Sequence, residues 1–155
     1  MKKICCFAGH SELYDTEGIY KSLLSVLEDL IITHGINEFH VGNYGAFDKL
    51  CAGAVRALKE KYPDVRLYLV IPYITTRINR DKDFYKSNYD GILVADIPQN
   101  TPKKMQILKC NMYMVKNSDI LVCCVKHSFG GAAKTLEYAR RRKNIEIINL
   151  CAQCI

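Results

Sequence analysis

Glycine and proline are scarce in this sequence, nine and four residues of 155, and no repeat or low-complexity tract occurs in it. That scarcity excludes collagen-like and Pro/Gly-rich disordered chains. The longest uninterrupted apolar run, Ile120 to Val125, is far short of the roughly 18–20 residues a membrane span needs. The N-terminus, Met1-Lys2-Lys3-Ile4-Cys5-Cys6-Phe7, has the superficial form of a signal peptide. Its apolar stretch stops at Gly9-His10-Ser11-Glu12 and no cleavage pattern follows, so the expectation is a cytoplasmic protein without a membrane partner. An excess of one charge is also missing: the formal balance is only +6. The densest basic cluster, Arg140-Arg141-Arg142-Lys143, falls where a predicted helix ends, and cations there complement the helix dipole. No aromatic residues interleave it and no stacking platform is legible, which argues against nucleic acid as a partner. A complete metal-ligand set is lacking too. Cys151-Ala152-Gln153-Cys154 has half-site spacing, but no second Cys-x-x-Cys or His-x-x-x-His completes it. Neither a metal nor a cofactor is implied.

What is present is an ordinary globular composition, 49% hydrophobic and 25% charged, with enough chain for one core and no interdomain linker. Residues 1–155 are read as a single domain. Of the eight cysteines, Cys5-Cys6 and Cys123-Cys124 are adjacent pairs inside predicted strands, where neighbouring side chains point to opposite faces. Reduced, buried thiols are the expectation, with Cys151 at a strand end or in a tail.

The pattern alternates strand and helix throughout. Lys3 to Ala8 reads as a buried strand, Glu17 to His34 as a helix, Phe39 to Gly42 as a short strand and Ala46 to Lys61 as a second helix. A strand over Arg66 to Ile71 follows the breaker Tyr62-Pro63-Asp64. Pro72 to Asp90 reads as irregular, with one short helix near Asp81 to Lys86, and Gly91 to Ala95 as an extra strand. Thr101-Pro102 opens a helix to Asn117. Ile120 to Val125 is a strand, Ala132 to Lys143 a helix and Ile145 to Leu150 the last strand. Continuously apolar strands separated by helices predict an α/β fold: a doubly wound, Rossmann-like three-layer sandwich with a mainly parallel sheet.

In such a sheet ligands bind beyond the carboxyl ends of the strands, where strand order reverses. Three strands here run into glycine-bearing loops: Ala8-Gly9-His10-Ser11-Glu12, Gly42-Asn43-Tyr44-Gly45-Ala46-Phe47-Asp48, and Lys126-His127-Ser128-Phe129-Gly130-Gly131. Three such loops on one sheet edge predict a ligand crevice. The last leads into a helix whose first residues, Ala132, Ala133 and Lys134, are expected to present backbone N–H groups to an anion.

The segments Cys6-Phe7-Ala8-Gly9-His10 and Gly42-Asn43-Tyr44-Gly45-Ala46-Phe47-Asp48, with Ile71-Pro72-Tyr73, Tyr113-Met114-Val115-Lys116-Asn117-Ser118-Asp119 and Gly130-Gly131-Ala132-Ala133-Lys134-Thr135, resemble the SLOG superfamily, and within it the YpsA-like group, over nearly the whole chain. The superfamily includes the lonely-guy phosphoribohydrolases and the DNA-processing protein DprA. The resemblance implies a Rossmann-like fold, a nucleotide or nucleotide-derived ligand at this sheet edge, and a homodimer. The phosphoribohydrolases carry Pro-Gly-Gly-x-Gly-Thr-x-x-Glu. Laid on this chain, its paired glycines fall on Gly130 and Gly131 and its glutamate on Glu137, while Phe129 replaces the proline, Ala133 the third glycine and Lys134 the threonine, with Thr135 displaced by one. The arginine those enzymes use falls on Cys110, and the arginine of many YpsA-like relatives on Met112. Ser11 stands where relatives often have arginine.

The candidate ligand-binding residues are therefore Gly9, His10, Ser11, Gly42, Gly45, Asp48, Ser128, Gly130, Gly131, Ala132, Ala133, Lys134 and Thr135, with Glu137 as the catalytic candidate if there is catalysis. His10 is placed to contact a base or phosphate, or to cap a backbone group; Asp48 to hold ribose hydroxyls, or to serve its own helix terminus. Glu137 is placed to stabilise a developing oxocarbenium ion, or to pair on the surface with Arg141. Lys134 in a first helical turn opposes the dipole unless an anion lies beside it. Arg77, Arg80 and Lys82 belong either to a lid or to a solvated loop. Three readings stay open: a nucleotide-binding domain acting as a sensor, a nucleoside monophosphate phosphoribohydrolase, and an interaction protein with a vestigial crevice.

Overall fold

The computed structural model describes residues 3–151. Cys154, and with it the Cys151-x-x-Cys154 half-site, lies outside the described residues, as do Met1 and Lys2. Six strands form one sheet: β1 (Ile4–Gly9), β2 (Glu38–Val41), β3 (Arg66–Ile71), β4 (Gly91–Val94), β5 (Ile120–Cys124) and β6 (Glu146–Asn149). Their order is β4-β3-β2-β1-β5-β6 and every pairing is parallel, not merely most of them. The chain steps outward from β1 to β4, then returns to lay β5 against the other side of β1. Strand order therefore reverses between β1 and β5, which end level, with Gly9 paired to Cys124.

The helices are α1 (Thr16–His34), α2 (Ala46–Lys61), α3 (Thr76–Arg80), α4 (Lys82–Asn88), α5 (Gln106–Lys116) and α6 (Gly131–Arg140). Alternation along the central strands sends side chains into two cores. Cys5 and Phe7 join Leu23 and Leu27 of α1 and Phe47 and Val55 of α2 on one face. Cys6 and Ala8 join Cys110 and Met114 of α5 and Leu136 of α6 on the other. The second doublet splits likewise, Cys124 to the first core and Cys123 to the second. Every side chain of β5 is buried, which is why its sequence is continuously apolar rather than alternating.

The segment between β3 and β4 departs from expectation in part. The short helix expected near Asp81 to Lys86 is α4, but a second short helix, α3, precedes it where an irregular stretch was expected. Thr75 caps α3 by accepting from the Ile78 N–H at 3.2 Å, and Ile78 and Tyr85 bury against Leu69 and Ile71 of β3. Five and seven residues are too few to show helical periodicity. Ahead of α5, Lys103–Met105 form a 3-10 turn and Pro102 precedes it, so the α-helix begins later than the Pro102 signal implied.

The cysteines bring a second correction. Cys5, Cys6, Cys51, Cys110 and Cys123 are free and buried, but Cys124 and Cys151 form a disulfide, with their Cα atoms 4.9 Å apart. The expectation that thiols stay reduced overlooked that parallel β5 and β6 bring Cys124, the end of one strand, beside Cys151, just beyond the end of the other. Asn149 fastens the same corner: its amide pairs with both the N–H and the C=O of Val125, at 3.1 and 3.0 Å. Among the described residues no helix is long and apolar enough to cross a membrane.

The disulfide spans a sequence separation of 27, and closing a loop of that size in the unfolded chain is worth about 3 kcal/mol. Cys151→Ser is expected to lower the unfolding free energy in urea by roughly that amount, with thiol titration of the native protein finding two fewer reactive groups than cysteines after denaturation without reductant. Equal midpoints for the two proteins, together with every thiol titrating, would contradict this.

Candidate functional site

At the reversal point between β1 and β5 a cavity of about 390 Å³ opens at the carboxyl edge of the sheet, within the range of small-molecule sites. The loop after β1 builds its centre and is fastened on both sides. Toward β5, the Lys126 N–H donates to His10 Nε2 at 2.9 Å, with the His127 N–H at 3.4 Å. Toward β2, the Ala46 N–H donates to the Ser11 carbonyl at 2.9 Å. Gly45 makes that approach possible: a Cβ there would sit 2.6 Å from the Ser11 Cα.

His10 therefore caps backbone groups. Accepting at Nε2 requires the ring to be neutral and to carry its proton on Nδ1. Burial holds its pKa below the ordinary 6.5, with His127 and Lys126 adding to the effect. The ring continues into a ladder, His10 against His127 at 4.4 Å between centroids and His127 stacked on Phe129 at 5.0 Å. Phe129 is 70% exposed. A row of rings along the cavity is the stacking surface that the sequence did not reveal.

The N-terminus of α6 faces this space. Gly130 enters the helix at φ +92°, a left-handed conformation that disfavours any residue with a Cβ. No side chain caps the helix, so the N–H groups of Gly131, Ala132 and Ala133 have no protein partner among the described residues. Lys134 differs from its expected role, since its N–H donates to the Gly130 carbonyl at 3.1 Å as an ordinary helical bond. Thr135 is buried and donates back to the Gly131 carbonyl at 2.8 Å, bracing the first turn from behind.

Of the candidates, Gly9, His10, Ser11, Gly45, Asp48, Gly130, Gly131 and Ala132 line the cavity. Gly42, Ser128, Ala133, Lys134 and Thr135 do not. Gly42 is packed beneath Asp48 and Tyr44, and Ala133 belongs to the core. Glu137 also lies outside the lining; it pairs with Arg140 at 2.9 Å, one residue short of the expected Arg141. Arg77, Arg80 and Lys82 are carried by α3 and α4 and none of them reaches this cavity.

On α5 the cavity wall is Ile107 and Asn111, one helical turn apart and so on one face. Cys110 points into the core, its thiol donating toward the Val70 carbonyl at 3.7 Å, and burial pushes it up to about 12. Met112 lies with Lys109 on another part of the helix surface. Asn111, between Cys110 and Met112, is the polar group α5 offers to the cavity. Asn111, Tyr44, Tyr14, His127 and Phe129 were missed as site residues. The 107/111 spacing on a helix leading into β5 was the legible signal for the first of them.

Two carboxylates do line the cavity, exposed Glu12 and Asp48; the structure fastens Asp48. Its Oδ2 accepts from the Tyr44 N–H at 3.0 Å, while Oδ1 has no protein donor among the described residues. Burial raises its pKa from 3.8 to about 6, against the lowering effect of the Tyr44 N–H. The phenol of Tyr44 is also raised, by burial first and then by Cys110, Tyr73 and Asp48, and so stays a hydrogen-bond donor at neutral pH. Among the described residues no cluster of three or more His, Cys, Asp or Glu side chains is placed to hold a metal.

No protein-family model matches this chain, and no curated protein matches it. Among solved structures it is similar to DNA processing protein A (DprA) from Streptococcus pneumoniae, with a TM-score of 0.59 and 16% identity over 90% of this chain. The chain spans about half of that structure, 47% of its length. At that identity the likeness establishes the fold, a DprA-like Rossmann-type α/β architecture.

The buried carboxylate yields a stability test. Above pH 6 the fold holds a charge it disfavours, whereas below pH 3.8 Asp48 is protonated both folded and unfolded and the cost vanishes. Asp48→Asn keeps an oxygen for the Tyr44 N–H, and is expected to raise the unfolding free energy at pH 7.5 by on the order of 1–3 kcal/mol. That gain should disappear near pH 4. Denaturant unfolding at both values checks it; a loss at pH 7.5, or an equal effect at both, would contradict it.

Proposed function

We propose that the crevice between β1 and β5 binds a nucleotide or nucleotide-derived ligand, with its phosphoryl group at the N-terminus of α6. The observation that carries this reading is the uncapped first turn of α6, whose Gly131 and Ala132 line a cavity with His10, Ser11 and Asn111 and whose Ala133 N–H, just behind them, is also free among the described residues. Helix N-termini of this kind favour anions through both the free donors and the dipole. The switch-point position supports it, since open α/β sheets bind ligands there. The ladder of His10, His127 and Phe129 walls the cavity, and the carboxylate of Asp48 supplies a group suited to sugar hydroxyls. The sequence resemblance to the SLOG superfamily points the same way, toward a binding domain of sensor type.

A second reading, hydrolysis of the N-glycosidic bond of a nucleoside monophosphate, is favoured by one feature. Asp48, with its pKa near 6, is the kind of perturbed carboxylate that general acid–base chemistry uses. In that case Asp48 rather than Glu137 is the working group, because Glu137 is exposed and engaged by Arg140. Free base released from a monophosphate, lost in Asp48→Asn and retained in Glu137→Gln, would establish it.

Gly131→Asp separates binding from folding. A Cβ at Gly131 meets nothing within 4 Å, and an acidic residue in the first turn complements the helix dipole. Thermal stability is expected to hold or rise, while affinity for nucleoside 5′-monophosphates measured by calorimetry falls at least tenfold. Undiminished binding in the variant, or no saturable binding of any common monophosphate to the parent protein, would overturn the proposal.

A further inference from the structure

Beyond Tyr44 and Ile107 lies a second cavity of about 200 Å³. Ligand sites in proteins occupy about 300–1,000 Å³, so this space is too small to be a separate site of the usual kind. Nor is it isolated, because Tyr44 and Ile107 line both cavities. Its floor is the small third core, Ile71 at the end of β3 with Ile78 and Tyr85 from the two short helices. Pro72 and the ring of Tyr73 add apolar walls.

Besides the Thr75 hydroxyl, which caps α3, and the phenols of Tyr44, Tyr73 and Tyr85, its lining carries two amides. Asn43 and Gln106 each bring a side-chain amide, a donor and an acceptor together. Asn43 makes no hydrogen bond among the described residues. Gln106 makes one long contact, from Nε2 to the Thr101 carbonyl at 3.4 Å, and leaves its oxygen without a partner. The cations Arg77 and Lys103 are exposed at the edge. A phosphoryl group would call for converging N–H donors, and an aliphatic chain would leave both amides unsatisfied. Apolar floor, aromatic wall and two bifunctional amides suit a flat heterocycle with apolar faces and a hydrogen-bonding rim.

We infer that this second cavity is the base-recognition subsite of the crevice, taking a nucleobase-type heterocycle whose sugar phosphate lies in the first cavity. The inference rests on the nucleotide-binding reading above. Geometry supplies the link: Tyr44, whose N–H donates to Asp48 of the first cavity, lines both spaces, as does Ile107. A ligand with its phosphoryl group at α6 and its sugar beside Asp48 passes Tyr44 to reach Asn43 and Gln106. The aromatic ladder at Phe129 then borders the phosphate end and does not read the base.

Calorimetric titration with ribose 5-phosphate and with the four common nucleoside 5′-monophosphates tests this. For the parent protein, the preferred monophosphate is expected to bind at least tenfold tighter than ribose 5-phosphate. Gln106→Ala and Asn43→Ala change exposed or half-buried polar side chains and should leave ribose 5-phosphate affinity within about twofold while shrinking that preference about fivefold or more, as expected where hydrogen bonds to a ligand edge are lost. An unchanged preference in both variants would overturn the subsite. So would its collapse in Phe129→Ala alone, which would place the base on the ladder. Failure of every probe to bind the parent protein would instead overturn the nucleotide reading, and the subsite with it.

Discussion

Everything at the carboxyl edge of the sheet depends on how the short loop after β1 is anchored. Hydrogen bonds hold it on both sides, Lys126 N–H and, at longer range, His127 N–H to His10 Nε2 on one and Ala46 N–H to the Ser11 carbonyl on the other. The first fastens it to the loop that leads into α6, the second to the N-terminus of α2. With both in place, α6's free N–H groups, the Asp48 carboxylate and the α5 wall share one cavity. Without them, three neighbouring loops would be independent turns. The arrangement requires a neutral His10, and its surroundings supply that condition: burial, His127 and Lys126 all disfavour the proton. The contribution of this neutral ring to stability is present above its ordinary value of 6.5 and is lost as pH falls through the lower folded value.

The site is also where the structure gives up stability. Asp48 is half-buried with a carboxylate the fold disfavours at neutral pH, and Gly130 holds a left-handed backbone. The first turn of α6 goes uncapped where a Ser, Thr or Asp at the preceding position would help. Each is a local conflict, and such conflicts concentrate where a protein binds or reacts. Elsewhere Asp15 caps α1, Gly35 ends it in the left-handed conformation and Thr75 caps α3, while α2, α4 and α5 also start without a side-chain cap.

Much of the fold was legible because both cores are built on continuous apolar strands. α2 and β3 matched their expected bounds, and the doublets Cys5-Cys6 and Cys123-Cys124 divide between opposite faces as strand geometry requires. What was not legible depends on distant pairing. The Cys124–Cys151 disulfide and the Asn149–Val125 amide pair arise from β5 lying beside β6, which spacing along the chain does not encode. For the site, the three glycine loops were readable, and their convergence follows from the switch between β1 and β5. Which side chains face inward was less so. On α5, one step of rotation separates Cys110 in the core from Asn111 at the cavity. The partner of Glu137 is Arg140 and not Arg141, again a matter of one residue.

Backbone amides at the start of α6 are the groups on which anion binding turns, and nitrogen-15 NMR reads them directly. Titration of the labelled protein with ribose 5-phosphate should move the Gly131, Ala132 and Ala133 amides together with those of His10 and Ser11, all saturating at one dissociation constant. Shifts confined to Arg140 through Lys143, or rising linearly without saturation, would show that negative charge meets only the basic surface and that the crevice does not hold it.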